Sequence, residues 1–67
     1  MPRCEVKWLK GRSMEQQNAI AEKLTDAFVE VLNCPRRHVT VVFRETDPAN
    51  YYTGGISEAQ EMAAKEN

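Results

Sequence analysis

The spacing of apolar residues changes twice along the first two thirds of the chain, from two to three-and-four and back to two, and few folds accommodate that order. From Arg3 to Leu9, Cys4, Val6 and Trp8 face one way and Arg3, Glu5 and Lys7 the other, which predicts a half-buried strand. After Gly11-Arg12, the tetrad Ser13-Met14-Glu15-Gln16 has the form of a capping box: a hydroxyl for the free N–H groups of a first turn and a Gln side chain that reaches back. Ile20, Leu24, Phe28, Val31 and Leu32, with Ala21 and Ala27 beside them, form one stripe at helical spacing, while Glu22, Lys23, Asp26 and Glu30 mostly take the other face. Asn33 tolerates a left-handed cap and Pro35 cannot continue a helix, so the helix is predicted to stop near Leu32. In residues 38–45, Val39, Val41 and Phe43 alternate with Thr40, Val42 and Arg44 as a second strand. Two strands separated by a helix lie parallel, joined by a right-handed crossover. The expected fold class is α+β, a small β-α-β subunit.

Beyond that unit, Asp47-Pro48-Ala49-Asn50 is turn chemistry, and Tyr51 to Ile56, bent at Gly54-Gly55, predicts a short C-terminal hairpin. Residues 57–67 read as a polar, helix-prone tail with Glu61 and Lys65 at i, i+4. The whole, residues 1–67, is expected to be one domain, with residues 2–56 as its core.

A chain of 67 residues, 42% hydrophobic and 28% charged, has the composition of a folded protein but is too short to bury much apolar surface alone. Domains of this size gain stability from metals, disulfides or association. One histidine, His38, and two cysteines thirty positions apart make no zinc pattern, so no metal is expected. With no signal peptide ahead of them, Cys4 and Cys34 are expected as reduced thiols in a cytoplasmic protein. A disulfide stays open, but a homo-oligomer is the main route expected, also because Val42 falls on the sheet face away from the helix and the unit has open edges. A net charge of -1 argues against a nucleic-acid partner, and no apolar run is long enough to span a membrane.

The candidate chemistry begins at Pro2. If Met1 is removed, Pro2 carries a secondary amine on a rigid ring, a base that needs no cofactor. Strand rise places Pro2 and Arg12 roughly 20 Å apart at opposite ends of the first strand, so one chain cannot bring them together. Tyr51 follows the parallel second strand and belongs at the end where Arg12 lies. Two chains paired antiparallel about a two-fold axis would set each Pro2 near the partner's Arg12 and Tyr51.

Met1-Pro2, the Gly11-Arg12-Ser13-x-Glu15-Gln16 turn, the β-α-β lengths and an aromatic residue four positions before Gly55 resemble the 4-oxalocrotonate tautomerase family over about residues 2–56. The resemblance implies subunits assembled as dimers and a homohexamer, a trimer of dimers. It also implies an isomerase that uses the terminal proline to move a proton along a keto or enol acid, a small-molecule substrate, without metal or organic cofactor. By resemblance, Pro2 is the catalytic base and acid, Arg12 binds the substrate carboxylate, and Tyr51 walls the proline. One position departs from the pattern. The family's better-known member has an arginine where Thr40 stands; Thr40 donates one hydrogen bond but cannot hold a carboxylate, which favours a monoacid, a bulkier enol or a slow promiscuous tautomerase over activity on a dicarboxylate.

Blander readings stand beside these. Trp8 reads as core or subunit interface, Tyr52 as an interface aromatic, His38 as an exposed side chain, and Cys4 as a small buried hydrophobe. Hydratase, dehalogenase and decarboxylase chemistries of the same superfamily rank below tautomerisation, since Thr53 and Leu9 stand where the dehalogenases carry added acidic and basic groups. A non-catalytic oligomeric module that binds a small ligand is the alternative of a different class.

Overall fold

The computed structural model describes residues 1–65; Glu66 and Asn67, the end of the expected tail, lie outside the described residues. Strand β1 (Arg3–Leu9) leads through the Gly11-Arg12 turn into helix α1 (Met14–Leu32), and strand β2 (Thr40–Thr46) returns beside β1. The two strands are parallel, in a register that sets Arg3 beside Thr40, Val6 beside Phe43 and Lys7 beside Arg44. Strands β3 (Tyr52–Thr53) and β4 (Ile56–Ser57) form an antiparallel hairpin, and helix α2 (Glu58–Lys65) follows it. This is the α+β architecture expected from the periodicities.

Local chemistry accounts for the element ends. At the start of α1 both halves of the capping box form: Gln16 N donates to Ser13 Oγ at 3.1 Å, and Ser13 N donates to Gln16 Oε1 at 3.0 Å. At its end Asn33 takes φ 53 and ψ 43, and its N–H donates to the Val29 carbonyl. The hairpin turns through Gly54 (φ 62) and Gly55 (φ 82), the pair of positive angles that a two-residue loop demands and that side chains resist. Arg36, paired with Asp26 at 2.6 Å, ties the following turn to α1.

Two details depart from the sequence reading and one, the tail, adds to it. Residues 38 and 39 precede β2: Arg36–His38 form a 3-10 turn in which His38 N donates to the Pro35 carbonyl, and His38 is half-buried there. The tail is a capped helix, with Gln60 N donating to Ser57 Oγ and Ser57 N donating to Gln60 Oε1. Ser57, 4% exposed, is the most enclosed of the described residues. The apolar stripe of α1 is divided as well. Ala21, Leu24 and Phe28, together with Val29, are half-buried, whereas Val31 is 80% and Leu32 56% exposed.

That division is the main physical fact of the isolated subunit. Among the described residues no apolar side chain is fully buried, although the chain is 42% hydrophobic. The shape, 49 × 23 × 15 Å, is too thin to enclose a core. Cys4, half-buried, lines an open apolar groove of about 360 Å³ with Leu24, Ala27, Phe28, Val31 and Leu32, on the side of β1 that faces α1.

Candidate active site

Pro2 directly precedes β1 and is half-buried. Its carbonyl accepts a hydrogen bond from the Thr40 amide at 3.0 Å, which fastens it to the first residue of β2. Strand alternation puts Pro2 on the α1 side, with Cys4 next along that face. The apolar groove starts at Cys4, and every residue lining it except the Cys4 thiol is a hydrocarbon side chain. It therefore offers no group that could hold an acid, and it suits packing between subunits better than substrate binding.

Arg12 sits at the other end of β1. The Lys10 amide donates to the Thr46 carbonyl at 3.0 Å and extends the ladder to the end of β2, after which Gly11, at φ 136, reverses the chain into α1. Arg12 Nη1 donates to the Leu9 carbonyl at 2.7 Å, and its guanidinium carbon lies 4.9 Å from the centroid of the Trp8 ring. Trp8 in turn stacks on Phe43, with ring centroids 4.8 Å apart and an interplanar angle of 23°. The Trp8 Nε1–H is enclosed and has no acceptor among the described residues. Tyr51, 48% exposed, follows the Pro48–Asn50 turn, and its carbonyl takes the Glu58 amide at 2.8 Å, which joins it to the start of α2.

Arg12 and Tyr51 thus both belong to segments that leave the sheet at its C-terminal end, and Pro2 lies at the N-terminal end. No hydrogen bond or ring contact joins Pro2, Arg12 and Tyr51 within one chain among the described residues. Thr40 is exposed on the sheet face away from α1, in register with Arg3. The arginine of β2, Arg44, lies on that same face and is engaged: its Nη2 lies 3.2 Å from Glu5 Oε1, which Arg3 Nη2 also approaches at 3.1 Å. The hydrogen bond and charge of Arg44, followed by the charges of Arg3 and Lys7, hold the Glu5 carboxyl below its ordinary value of 4.5. Among the described residues no cluster of His, Cys, Asp and Glu could hold a metal ion, and no helix is long and apolar enough to cross a membrane.

The β-α-β unit, the half-buried proline ahead of β1 and the arginine at the turn before α1 all fall within one family match. The tautomerase enzyme family matches residues 2–60. The chain belongs to the tautomerase family. Within that family of isomerases it is 40% identical over 55 residues to a probable tautomerase of Bacillus cereus, a match covering 82% of this chain and 90% of the relative. It is 37% identical over 57 residues to the 2-hydroxymuconate tautomerase of Comamonas testosteroni, covering 85% and 90% respectively. Among solved structures, a heterohexameric 4-oxalocrotonate tautomerase from Chloroflexus aurantiacus superposes with a TM-score of 0.77 at 32% identity, covering 90% of this tautomerase and 97% of that chain.

The sequence reading missed one participant in the candidate site. Trp8 reads from sequence as core or interface, yet it also touches Arg12. The available signal was a spacing, an aromatic residue at the end of a strand followed by an arginine across a glycine turn.

Proposed function

We propose that this tautomerase uses Pro2, freed by removal of Met1, as a general base and acid that shifts a proton along a conjugated keto or enol acid, with the partner subunit's Arg12 holding the carboxylate. The observation that carries the reading is the fastening of Pro2 to Thr40. A half-buried ring tied by its carbonyl to the neighbouring strand presents its nitrogen in one direction, and the amine then meets each substrate in the same geometry. While Met1 is attached, that nitrogen is a tertiary amide without a basic lone pair.

In the proposed reaction the amine removes a proton from one end of the conjugated system. The electron pair moves along the double bonds, and the ammonium returns the proton at the other end. No atom is gained or lost, and no cofactor is required. Desolvation and a nearby guanidinium both favour the neutral form of an amine, bringing a base of this kind towards working pH. Arg12 offers a planar fork to the carboxylate, and Tyr51 closes the wall and can donate its hydroxyl to a substrate oxygen.

The separation of Pro2 from Arg12 by the length of β1 supports a site shared between subunits, and the uncovered apolar face of α1 supports assembly into dimers and a homohexamer. With Thr40 in place of arginine, and Arg44 committed to Glu5, a monocarboxylic substrate fits better than a dicarboxylic one. The free thiols of Cys4 and Cys34 suit the reducing cytoplasm.

The test combines intact mass with kinetics. Mature protein is expected to lack Met1 and to tautomerise 2-hydroxymuconate or an enolised arylpyruvate in an ultraviolet assay, with Pro2→Ala slowing turnover by about 10²- to 10⁴-fold. Equal rates in the two proteins would count against the proline mechanism, and a methionine fully retained in the natural host would leave the non-catalytic binding module as the surviving reading.

A further inference from the structure

Arg12 is held more firmly than an exposed turn arginine usually is. A solvated arginine samples many rotamers, and fixing it costs side-chain entropy. Here two neighbours in sequence constrain it: the Leu9 carbonyl takes Nη1 at 2.7 Å, and the Trp8 ring lies 4.9 Å from the guanidinium carbon. Trp8 is itself immobilised by stacking on Phe43. Its Nε1–H, enclosed and without an acceptor among the described residues, contributes nothing to that placement. The stacked ring face is therefore the part of the indole that acts on Arg12. A guanidinium has five N–H donors, and the Leu9 carbonyl occupies one nitrogen, so the remaining edge is left for a carboxylate.

We infer that Trp8 is a positioning residue: it holds the partner-facing guanidinium of Arg12 through its ring face, so that Arg12 meets the carboxylate of the substrate already oriented. This deepens the function proposed above and rests on Arg12 as the carboxylate binder. An oriented fork loses less freedom on binding, so Trp8 acts on affinity for the acid group and not on proton transfer.

Two variants separate the ring face from simple packing. Trp8→Phe keeps an aromatic face and removes the unpaired donor; Trp8→Leu keeps an apolar side chain and loses the face. Trp8→Leu is expected to raise KM for an enolised arylpyruvate about three- to tenfold, with kcat within about twofold and KM for the corresponding ester unchanged. Trp8→Phe is expected to restore most of the affinity. Equal KM changes for acid and ester, a loss confined to kcat, or no change in a folded Trp8→Leu protein would each overturn the inference.

A second measurement needs no Trp8 substitution and no turnover. Trp8 is the sole tryptophan, so emission excited at its red edge reports on this position alone. Titration of the assembled protein with butyrate at constant ionic strength is expected to change that emission saturably, with butyramide silent and Arg12→Ala removing the response. Emission blind to butyrate overturns the inference even if Trp8→Leu fails to fold. The parent protein distinguishes the two proposals: an Arg12-dependent response to butyrate without turnover of any enol acid upholds the role of Trp8 while the proton-transfer reading falls. Normal turnover with silent emission does the reverse.

Discussion

The Thr40 amide donates to the Pro2 carbonyl at 3.0 Å, so the residue ahead of β1 is secured by the first residue of β2. The bond is a backbone contact, independent of the threonine side chain. Val39 is already extended, at φ -93 and ψ 124, the conformation required of a residue before proline. Thr40→Pro therefore deletes this N–H with little strain on Val39. The expected result is a loss of stability of about 1 kcal/mol, read by denaturant unfolding, together with a larger fall in kcat. A variant with unchanged kcat would show that Pro2 needs no such anchor.

The Thr40 side chain, exposed beside Arg3, is the place to test substrate class. Thr40→Arg adds a second guanidinium and is expected to lower KM for a dicarboxylic enol such as 2-hydroxymuconate, relative to a monoacid, by about tenfold. Like charges facing each other across adjacent strands are destabilising, so the same variant should unfold earlier by roughly 0.2–1 kcal/mol. Parallel changes in KM for both acids would separate Thr40 from substrate selection.

Association is predicted to depend on the uncovered face of α1. Val31, 80% exposed, and Leu32, 56% exposed, adjoin the apolar groove beside β1. Sedimentation velocity of the native protein is expected to show a multimer, and Val31→Asp a shift to smaller species with loss of activity, because the partner's Arg12 is then absent. An active variant monomer would refute the shared site.

Glu5 provides a pH signature. Its carboxyl is held below 4.5, first by the hydrogen bond and charge of Arg44 and then by Arg3 and Lys7. A depressed folded-state value means that its contribution to stability is present above the ordinary value and is lost as pH falls through the lower, folded one. Side-chain carboxyl NMR should show a Glu5 midpoint below 4.5 that moves up in Arg44→Gln. Because the group is exposed, added salt should shrink the effect. An unshifted midpoint at low salt would mean that the ion pairs do not persist in solution.

The elements of this tautomerase were legible in its sequence because each depends on near neighbours. Alternation marked β1, the Ser13/Gln16 box marked the start of α1, Asn33 marked its end and Gly54-Gly55 marked the hairpin. Even the assignment of Pro2 and Arg12 to opposite ends needed only the rise of a strand. The helix-prone composition of the tail marked the second helix too, and what it did not announce is the cap that Ser57 and Gln60 form.

Other facts required the folded chain. The register that puts Arg3 beside Thr40, the joint hold of Arg3 and Arg44 on Glu5, the stack of Trp8 on Phe43 and its contact with Arg12, and the division of the α1 stripe into covered and bare halves all join or compare parts that tertiary packing places. Residue order by itself determined which segments are helix or strand, since backbone geometry and capping act over a few positions. Only the tertiary structure decided which side chains meet, since that depends on how one strand slides against another and on which surfaces a single helix is wide enough to cover.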